Sequence, residues 1–208
     1  PKIANPELGP EQIDNYEIGG TFRLIPGLSL SPSFYYAKGK DFLYYVATGE
    51  KMWGKRDIFQ RQNISEVEVR GVEADLDYTL SGRWKMNLNY SYNIPEVKRF
   101  EKNPELNHKV LTYTPKNQLK GYILWTGGIA DVMLRGRYKS RQYTSEDNSS
   151  YIEGFTVWDV QVSRWFVWRR LYAGGEVINI FNNRHMNTKE YRSAGRLINV
   201  KLAVSINR

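Results

Sequence analysis

Cysteine is absent from the 208 residues, which removes disulfides, thiolate metal sites and cysteine nucleophiles but fixes no compartment. Histidine is scarce: His108 and His185 lie far apart, each in a long polar stretch, where an imidazole is more commonly solvated than a ligand. No run approaches the roughly 18 consecutive apolar residues that a membrane-spanning helix needs. That leaves membrane strands open, because these show only about ten residues of alternating character each. The chain also lacks a nucleophile elbow and a glycine-rich phosphate loop ahead of a helix. Gly127-Gly128 reads as a turn and Gly174-Gly175 as strand packing. Asp75 and Asp77 are neighbours by strand spacing rather than an acid/base pair. No catalytic residue, cofactor or metal ligand is assigned, and an enzyme is not expected. Pro1-Lys2-Ile3-Ala4 has neither the charged nor the apolar region of a signal peptide, and reads as a processed or artificial start.

What the chain has in excess is aromatic side chains and positive charge. Aromatics make up 14% of the residues, with 15 Tyr and 6 Trp, more than a core alone requires. Such side chains favour boundaries between an apolar body and a wet rim. The net charge of +8 suits nucleic acid, an anionic membrane surface or an anionic ligand, and chooses none of them.

Period-2 alternation runs the length of the chain. Trp84, Met86, Leu88, Tyr90 and Tyr92 alternate with Lys85, Asn87, Asn89, Ser91 and Asn93. Similar patterns at 16–24, 28–36, 72–79, 132–139 and 198–206, with weaker ones at 116–125, 154–165 and 171–181, predict about nine strands, many near the ~10-residue length of a membrane strand. Val67 and Val69 sit out of phase with Val72, Ala74 and Leu76, and Gly71 at the change is where a β-bulge, or a loop between two short strands, is expected. Tight turns at Ile25-Pro26-Gly27, Ser81-Gly82, Thr126-Gly127-Gly128 and 166–170 alternate with long polar stretches at 44–62, 95–115, 143–153 and 182–194. All short connections therefore lie at one end of the sheet and all long ones at the other, as in outer-membrane barrels. Trp84, Trp165 and Trp168 near the short turns, and Tyr36, Tyr90, Tyr92 and Tyr138 towards the long loops, are placed as two aromatic girdles. The fold class is all-β: an antiparallel up-and-down transmembrane β-barrel, with Trp84, Met86, Leu88, Tyr90 and Tyr92 facing lipid and the rows Glu73, Asp75, Asp77 and Arg135, Arg137, Lys139, Arg141 on the opposite face.

Three segments resemble the C-terminal half of TonB-dependent outer-membrane receptors. Asn5-Pro6-Glu7-Leu8-Gly9-Pro10-Glu11, then Asn15-Tyr16-Glu17-Ile18-Gly19, is similar to the family's Asn-Pro-x-Leu-x-Pro-Glu lead into a strand. Asn63-Ile64 with Arg70-Gly71-Val72-Glu73 is similar to its Asn followed by Gly-hydrophobic-Glu, and Ile178-Asn179-Ile180-Phe181-Asn182-Asn183 with Gly195-Arg196 to its penultimate hairpin. The family usually finishes on an aromatic residue, whereas this chain finishes Ile206-Asn207-Arg208. The family barrel has about 22 strands around a plugged lumen. Residues 1–208 are therefore expected to be a C-terminal part of the barrel domain, without the N-terminal plug domain.

The resemblance implies a bacterial outer-membrane receptor importing a scarce nutrient such as a ferric siderophore, cobalamin or haem. It implies as partners a metal chelate or other small nutrient, a TonB-type energy-transducing complex engaged through N-terminal regions, and lipopolysaccharide with outer-membrane lipid; no nucleic acid is expected. The candidate ligand residues are Arg135, Arg137, Lys139 and Arg141, a basic row that either attracts an anionic chelate or pairs with acidic residues on adjacent strands or on the plug domain. Trp53, Lys55, Arg56 and Phe59 join them from the first long stretch, where Lys51, Lys55, Arg56 and Arg61 could also meet lipopolysaccharide phosphates. Two alternatives stay open: a small standalone porin-like or adhesion barrel, and a soluble basic β-module binding nucleic acid or acidic glycan.

Overall fold

The computed structural model describes residues 1–100, 103–166 and 170–206, with side chains at all of these except 64 and 65. Trp168 and the terminal Asn207-Arg208 lie outside the described residues. The first half of the chain forms β1 (Lys2–Ile3), β2 (Gln12–Gly19), β3 (Phe22–Ile25), β4 (Leu28–Met52), β5 (Arg56–Leu80) and β6 (Trp84–Arg99). After a 3₁₀ turn at Pro104–Leu106 come β7 (Asn117–Thr126), β8 (Asp131–Lys139), β9 (Gln142–Tyr143), β10 (Tyr151–Ile152) and β11 (Phe155–Phe166). The last elements are β12 (Leu171–Ile178), β13 (Met186–Thr188), β14 (Tyr191–Arg192) and β15 (Leu197–Val204).

One antiparallel meander runs β2-β4-β5-β6-β7-β8-β11-β12-β15, nine strands in chain order among the described residues. β3 pairs with β4 beyond β2, so β2 and β3 are two lengths of one interrupted strand. The sheet does not close on itself; β2 and β15 are its edges, and every residue of β2 is exposed. This is a partial barrel. At the β5–β6 turn Ser81 and Gly82 both have positive φ, the geometry that matches the twist of a tight hairpin.

The two faces of this sheet differ completely. Leu28, Tyr78, Met86, Ile123, Leu134, Val160, Val177 and Ile198 are successive register partners, an apolar row across eight strands. Its members stay accessible, with Ile123 40% and Ile198 73% exposed, so no protein layer covers them among the described residues. Water would not tolerate so large a continuous apolar face, and lipid is the medium that does. One residue away, Asp77, Asn87, Tyr122, Arg135 and Asp159 form the parallel row on the other face, which lines the lumen. Trp84 and Trp125 lie together near the short turns, ring centroids 6.3 Å apart, at the edge of the lipid face. Trp165, expected beside them, falls on the lumen face by register and meets Tyr172 edge-on at 5.1 Å. Strand alternation overrides its position next to a turn.

The segregation of short and long connections holds, but the first long stretch is not a loop. β4 and β5 are 25 residues each, and their ladder continues to Lys51↔Asp57 and Met52↔Arg56. At about 3.3 Å per residue each strand covers roughly 80 Å, against an apolar band about 25 Å tall, so the hairpin rises far above the lipid. The sequence there is polar on both faces because neither face meets hydrocarbon.

Gly71 marks no bulge and no break: its pairings with Tyr35 and Asn93 sit in an unshifted register on both sides. The apolar phase changes because the surroundings change. Below Gly71 the lipid face is apolar. Above it Val67 joins Val46, Val97, Phe100 and Leu106 in a buried cluster that packs the hairpin against the loop after β6. Glycine is needed at 71 for a different reason: a Cβ there would lie 2.4 Å from the Tyr35 ring and 2.5 Å from the Tyr92 carbonyl oxygen.

Candidate functional site

Two of the sequence signatures turn out to be single structural devices. The N-terminal segment pairs through β1 with Phe59-Gln60 of β5, then crosses the hairpin towards β4. Asn63 fastens it midway: its Oδ1 accepts from Gly9 N at 3.0 Å and its Nδ2 donates to the Gly9 carbonyl at 3.1 Å. Glu11 closes the strap by accepting the Leu43 N–H at 2.6 Å. The Asn-Pro-x-Leu-x-Pro-Glu segment and the isolated Asn63 are therefore two halves of one clamp.

At the other side of the sheet, Asn179 and Asn182 take positive φ, which asparagine tolerates better than most residues. Asn179 donates its N–H to buried Asp159 at 2.8 Å, and its side chain both donates to and accepts from the Asn183 backbone at 2.8 Å. Asn182 Oδ1 accepts from Arg196 N at 3.0 Å, and a Cβ on Gly195 would come within 2.6 Å of that oxygen. The Asn-rich turn and Gly195-Arg196 thus begin and end the last long loop against one another.

The long connections are tied into one layer. Tyr44 Oη, on the hairpin, donates to Thr112 Oγ1 at 2.7 Å; Asn148 brackets both the N–H and the carbonyl of Val110 at 2.8 Å; and Gln142 donates to the Asn187 carbonyl at 3.0 Å. Four connections are linked in sequence, over the outer end of the lumen.

Beneath the last of them is a cavity of about 440 Å³, whose lining includes Lys120, Arg137, Lys139, Phe155, His185 and Asn187. β7 and β8 set its wall, with Lys120 directly opposite Arg137 and Gln118 opposite Lys139. His185 descends from the loop and stacks on Phe155, ring centroids 3.7 Å apart. Its Nδ1 lies 3.3 Å from the Asn183 carbonyl oxygen, which can only accept, so Nδ1 carries the hydrogen. Burial pushes its pKa below the ordinary value; the Asn183 carbonyl opposes this, while the nearby Arg137 and Lys139 charges add to it.

The predicted basic row divides. Arg135 is ion-paired with Glu176, and its buried Nε has no hydrogen-bond partner. Arg137 faces Asp159 at 3.5 Å and also lines the cavity, together with Lys139. Arg141 lies beyond the end of β8, with its guanidinium 5.3 Å from the Tyr151 ring centroid, and does not line the cavity. Trp53, Lys55 and Arg56 are at the hairpin tip, where Trp53 is 84% exposed with φ 49°. A bulky side chain in that left-handed region carries backbone strain. Phe59 is in the ladder below, opposite Ala47 and beside Lys2. The structure brings none of these four to the cavity. Lys120 was not singled out in the sequence, although the turn at Thr126–Asp131 fixes the register that sets it against Arg137, and His185, read there as more commonly solvated, lines the cavity instead.

The sequence profile described as "TonB dependent receptor-like, beta-barrel" matches residues 1–180. The chain belongs to the TonB-dependent receptor family. Members of this family are transporters. This receptor segment is 23% identical over 199 residues to the vitamin B12 transporter BtuB of Photobacterium profundum, covering 92% of the chain but 30% of that protein. It superposes on the copper transporter OprC with TM-score 0.76 at 16% identity, covering 96% of the chain and 32% of OprC. On the siderophore receptor PiuA of Acinetobacter baumannii the TM-score is 0.74 at 15% identity, covering 92% of the chain and 28% of PiuA. The receptor segment thus spans about a third of the length of these relatives, and its likeness to the solved structures is a likeness of fold.

Proposed function

We propose that this chain is part of the wall of a bacterial outer-membrane receptor that imports a scarce small nutrient, such as a metal chelate, with energy from a TonB-type partner engaged by other regions of the protein. The observation that carries the reading is the division of faces. An uncovered apolar row faces lipid across eight strands, while a charged lumen runs beneath a layer of mutually hydrogen-bonded loops. Such a lumen concentrates a charged solute at its mouth and offers it polar partners on the way through. Relatives described as transporters of vitamin B12 and of copper, and as a siderophore receptor, support a small, scarce cargo. Trp53, Lys55 and Arg56 would meet the cargo first, at the hairpin tip. Lys51, Lys55, Arg56 and Arg61 lie on the same hairpin and would meet the phosphates of lipopolysaccharide. Arg135, Arg137 and Lys139 would act later, on the wall.

Uptake by cells carrying or lacking the whole receptor, with a panel of ferric siderophores, cobalamin and chelated copper, tests the proposal. Accumulation of one of these that needs both the receptor and the energy-transducing partner is the expected result. Flux of small solutes without the partner would favour a porin-like barrel instead.

A further inference from the structure

Arg164 is a cation on the lipid-facing side of the sheet, close to the short turns. Trp84, Trp125, Val132, Val162 and Gly175 are successive register partners, so the tryptophan pair and Gly175 lie in one row. Arg164 is two residues beyond Val162 on the same face, about 7 Å nearer the turns. Tryptophan at a membrane boundary sits at headgroup level, which puts this guanidinium among headgroups rather than in hydrocarbon. Its Nη1 donates to the Ile129 carbonyl at 2.5 Å, and its Cζ lies 5.2 Å from the Phe166 ring centroid. These contacts hold the fork in place and leave other N–H donors over. No carboxylate pairs with it among the described residues. β8 and β12 flank β11 on either side, so the outer face around Arg164 is built by this segment itself. Beside Arg164 the sheet is hollowed. Ala173, its register partner, and Gly175 set small side chains on β12 between Val162 on β11 and Val200 and Leu202 on β15. A Cβ on Gly175 would meet nothing within 4 Å, and the depression of about 460 Å³ there has Ile129, Val162, Arg164, Phe166, Ala173 and Gly175 in its lining.

We infer that this furrow is a binding site for a glycerophospholipid of the periplasmic leaflet, with its phosphate on Arg164 and an acyl chain along β12 over Ala173 and Gly175. The inference rests on the reading that this is an outer-membrane wall whose short turns face the periplasm, on the side where the leaflet is phospholipid rather than lipopolysaccharide. The charges are complementary, because a guanidinium fork matches two oxygens of a phosphate diester. Basic pockets against the membrane recognise phospholipid headgroups in this way. The polarity of the furrow also fits. Its cation is at the short-turn end, and the small residues lead from there to Val177 in the apolar row across the sheet. A lipid of the opposite leaflet would bring its phosphate to the long-loop end instead. An arginine that merely snorkels to the interface needs no hollow beside it, so Ala173 and Gly175 are what make this a site for a lipid and not only for a charge.

Native mass spectrometry of the whole receptor, stripped of lipid in detergent and titrated with dioleoyl phosphatidylglycerol, tests this. Dioleoylglycerol, which has the chains without the phosphate, is the control. A saturable phosphatidylglycerol adduct is expected, weakened about tenfold or more by Arg164→Gln, the effect of losing a charge-assisted bond. Gly175→Leu fills the furrow and leaves Arg164 in place, and it should weaken the adduct as well. Arg83→Gln removes a cation from another short turn and should leave binding unchanged. Absence of a saturable adduct on the wild type overturns the site, as does equal binding of dioleoylglycerol. Equal weakening by Arg83→Gln would overturn it too, by showing only a general attraction of the turns for anionic lipid. Full binding by Gly175→Leu would reduce the site to a snorkelling arginine, and tighter Arg164-dependent binding of lipopolysaccharide would overturn the choice of leaflet. If Arg164→Gln fails to fold, the comparison with dioleoylglycerol and the Gly175→Leu variant still decide the matter. Partner-dependent uptake without the adduct would remove the site and leave the receptor reading standing. An Arg164-dependent adduct without such uptake would do the reverse.

Discussion

Gly71 shows how a single residue can carry a clear signal whose cause is hidden. The phase change around it is plain in the sequence, but a bulge, a loop and a change of medium all produce the same letters. The contact with Tyr35 decides between them, because the ladder passes through unshifted while the glycine makes room for the ring. Gly71→Ala should therefore destabilise the folded barrel by about 1–3 kcal/mol, the usual range for overpacking. Heat-modifiable mobility of the whole receptor would measure it, and an unchanged transition would mean that Tyr35 moves aside freely. His185 is a residue the sequence could not place, since nothing in a polar loop announces a stack on Phe155. Its pKa lies below the ordinary 6.5, so between those two values the unfolded chain binds the proton that the folded one refuses. Stability should then fall as the pH drops through that window. Thermal melts from about pH 8 to about pH 5 should show a slope that His185→Asn flattens, while an identical slope in the variant would assign it to other groups.

At the scale of elements, strand positions and faces were legible because hydrocarbon imposes a strict alternation on every strand that crosses it. Met133 and Leu134 are adjacent in sequence and opposite in surroundings: Leu134 belongs to the lipid row, Met133 to the lumen face opposite Leu124. Leu134→Arg should cost about 2–4 kcal/mol, the depth-dependent range for arginine facing lipid, whereas Met133→Arg should be tolerated. Refolding into lipid vesicles compares the two, and equal penalties would contradict the assignment of faces. The same alternation hides the hairpin, since β4 and β5 outside the membrane have no reason to keep an apolar face and look like a loop in the sequence. Clamps such as Asn63 on Gly9 are also out of reach, because the partners are 54 residues apart and share no pattern. The basic row is visible, but its division is not. Which of Arg135, Arg137, Lys139 and Arg141 is paired, free or turned away depends on strands whose register had to be seen, although the Thr126–Asp131 turn already places Lys120.

At the largest scale, the nine meander strands among the described residues, with two unpaired edges, describe a wall rather than a vessel, and exposed edges of that kind recruit further strands. The asymmetry of the connections gives this wall a direction, with tight turns on one side and the linked loop layer on the other. A single-thiol scan across the membrane tests it most directly, because the chain contributes no cysteine of its own. Trp53→Cys and Glu190→Cys should react with an impermeant maleimide on intact cells, and Arg83→Cys and Gly128→Cys only after the outer membrane is opened. Labelling of Arg83→Cys or Gly128→Cys on intact cells, with Trp53→Cys silent, would contradict it.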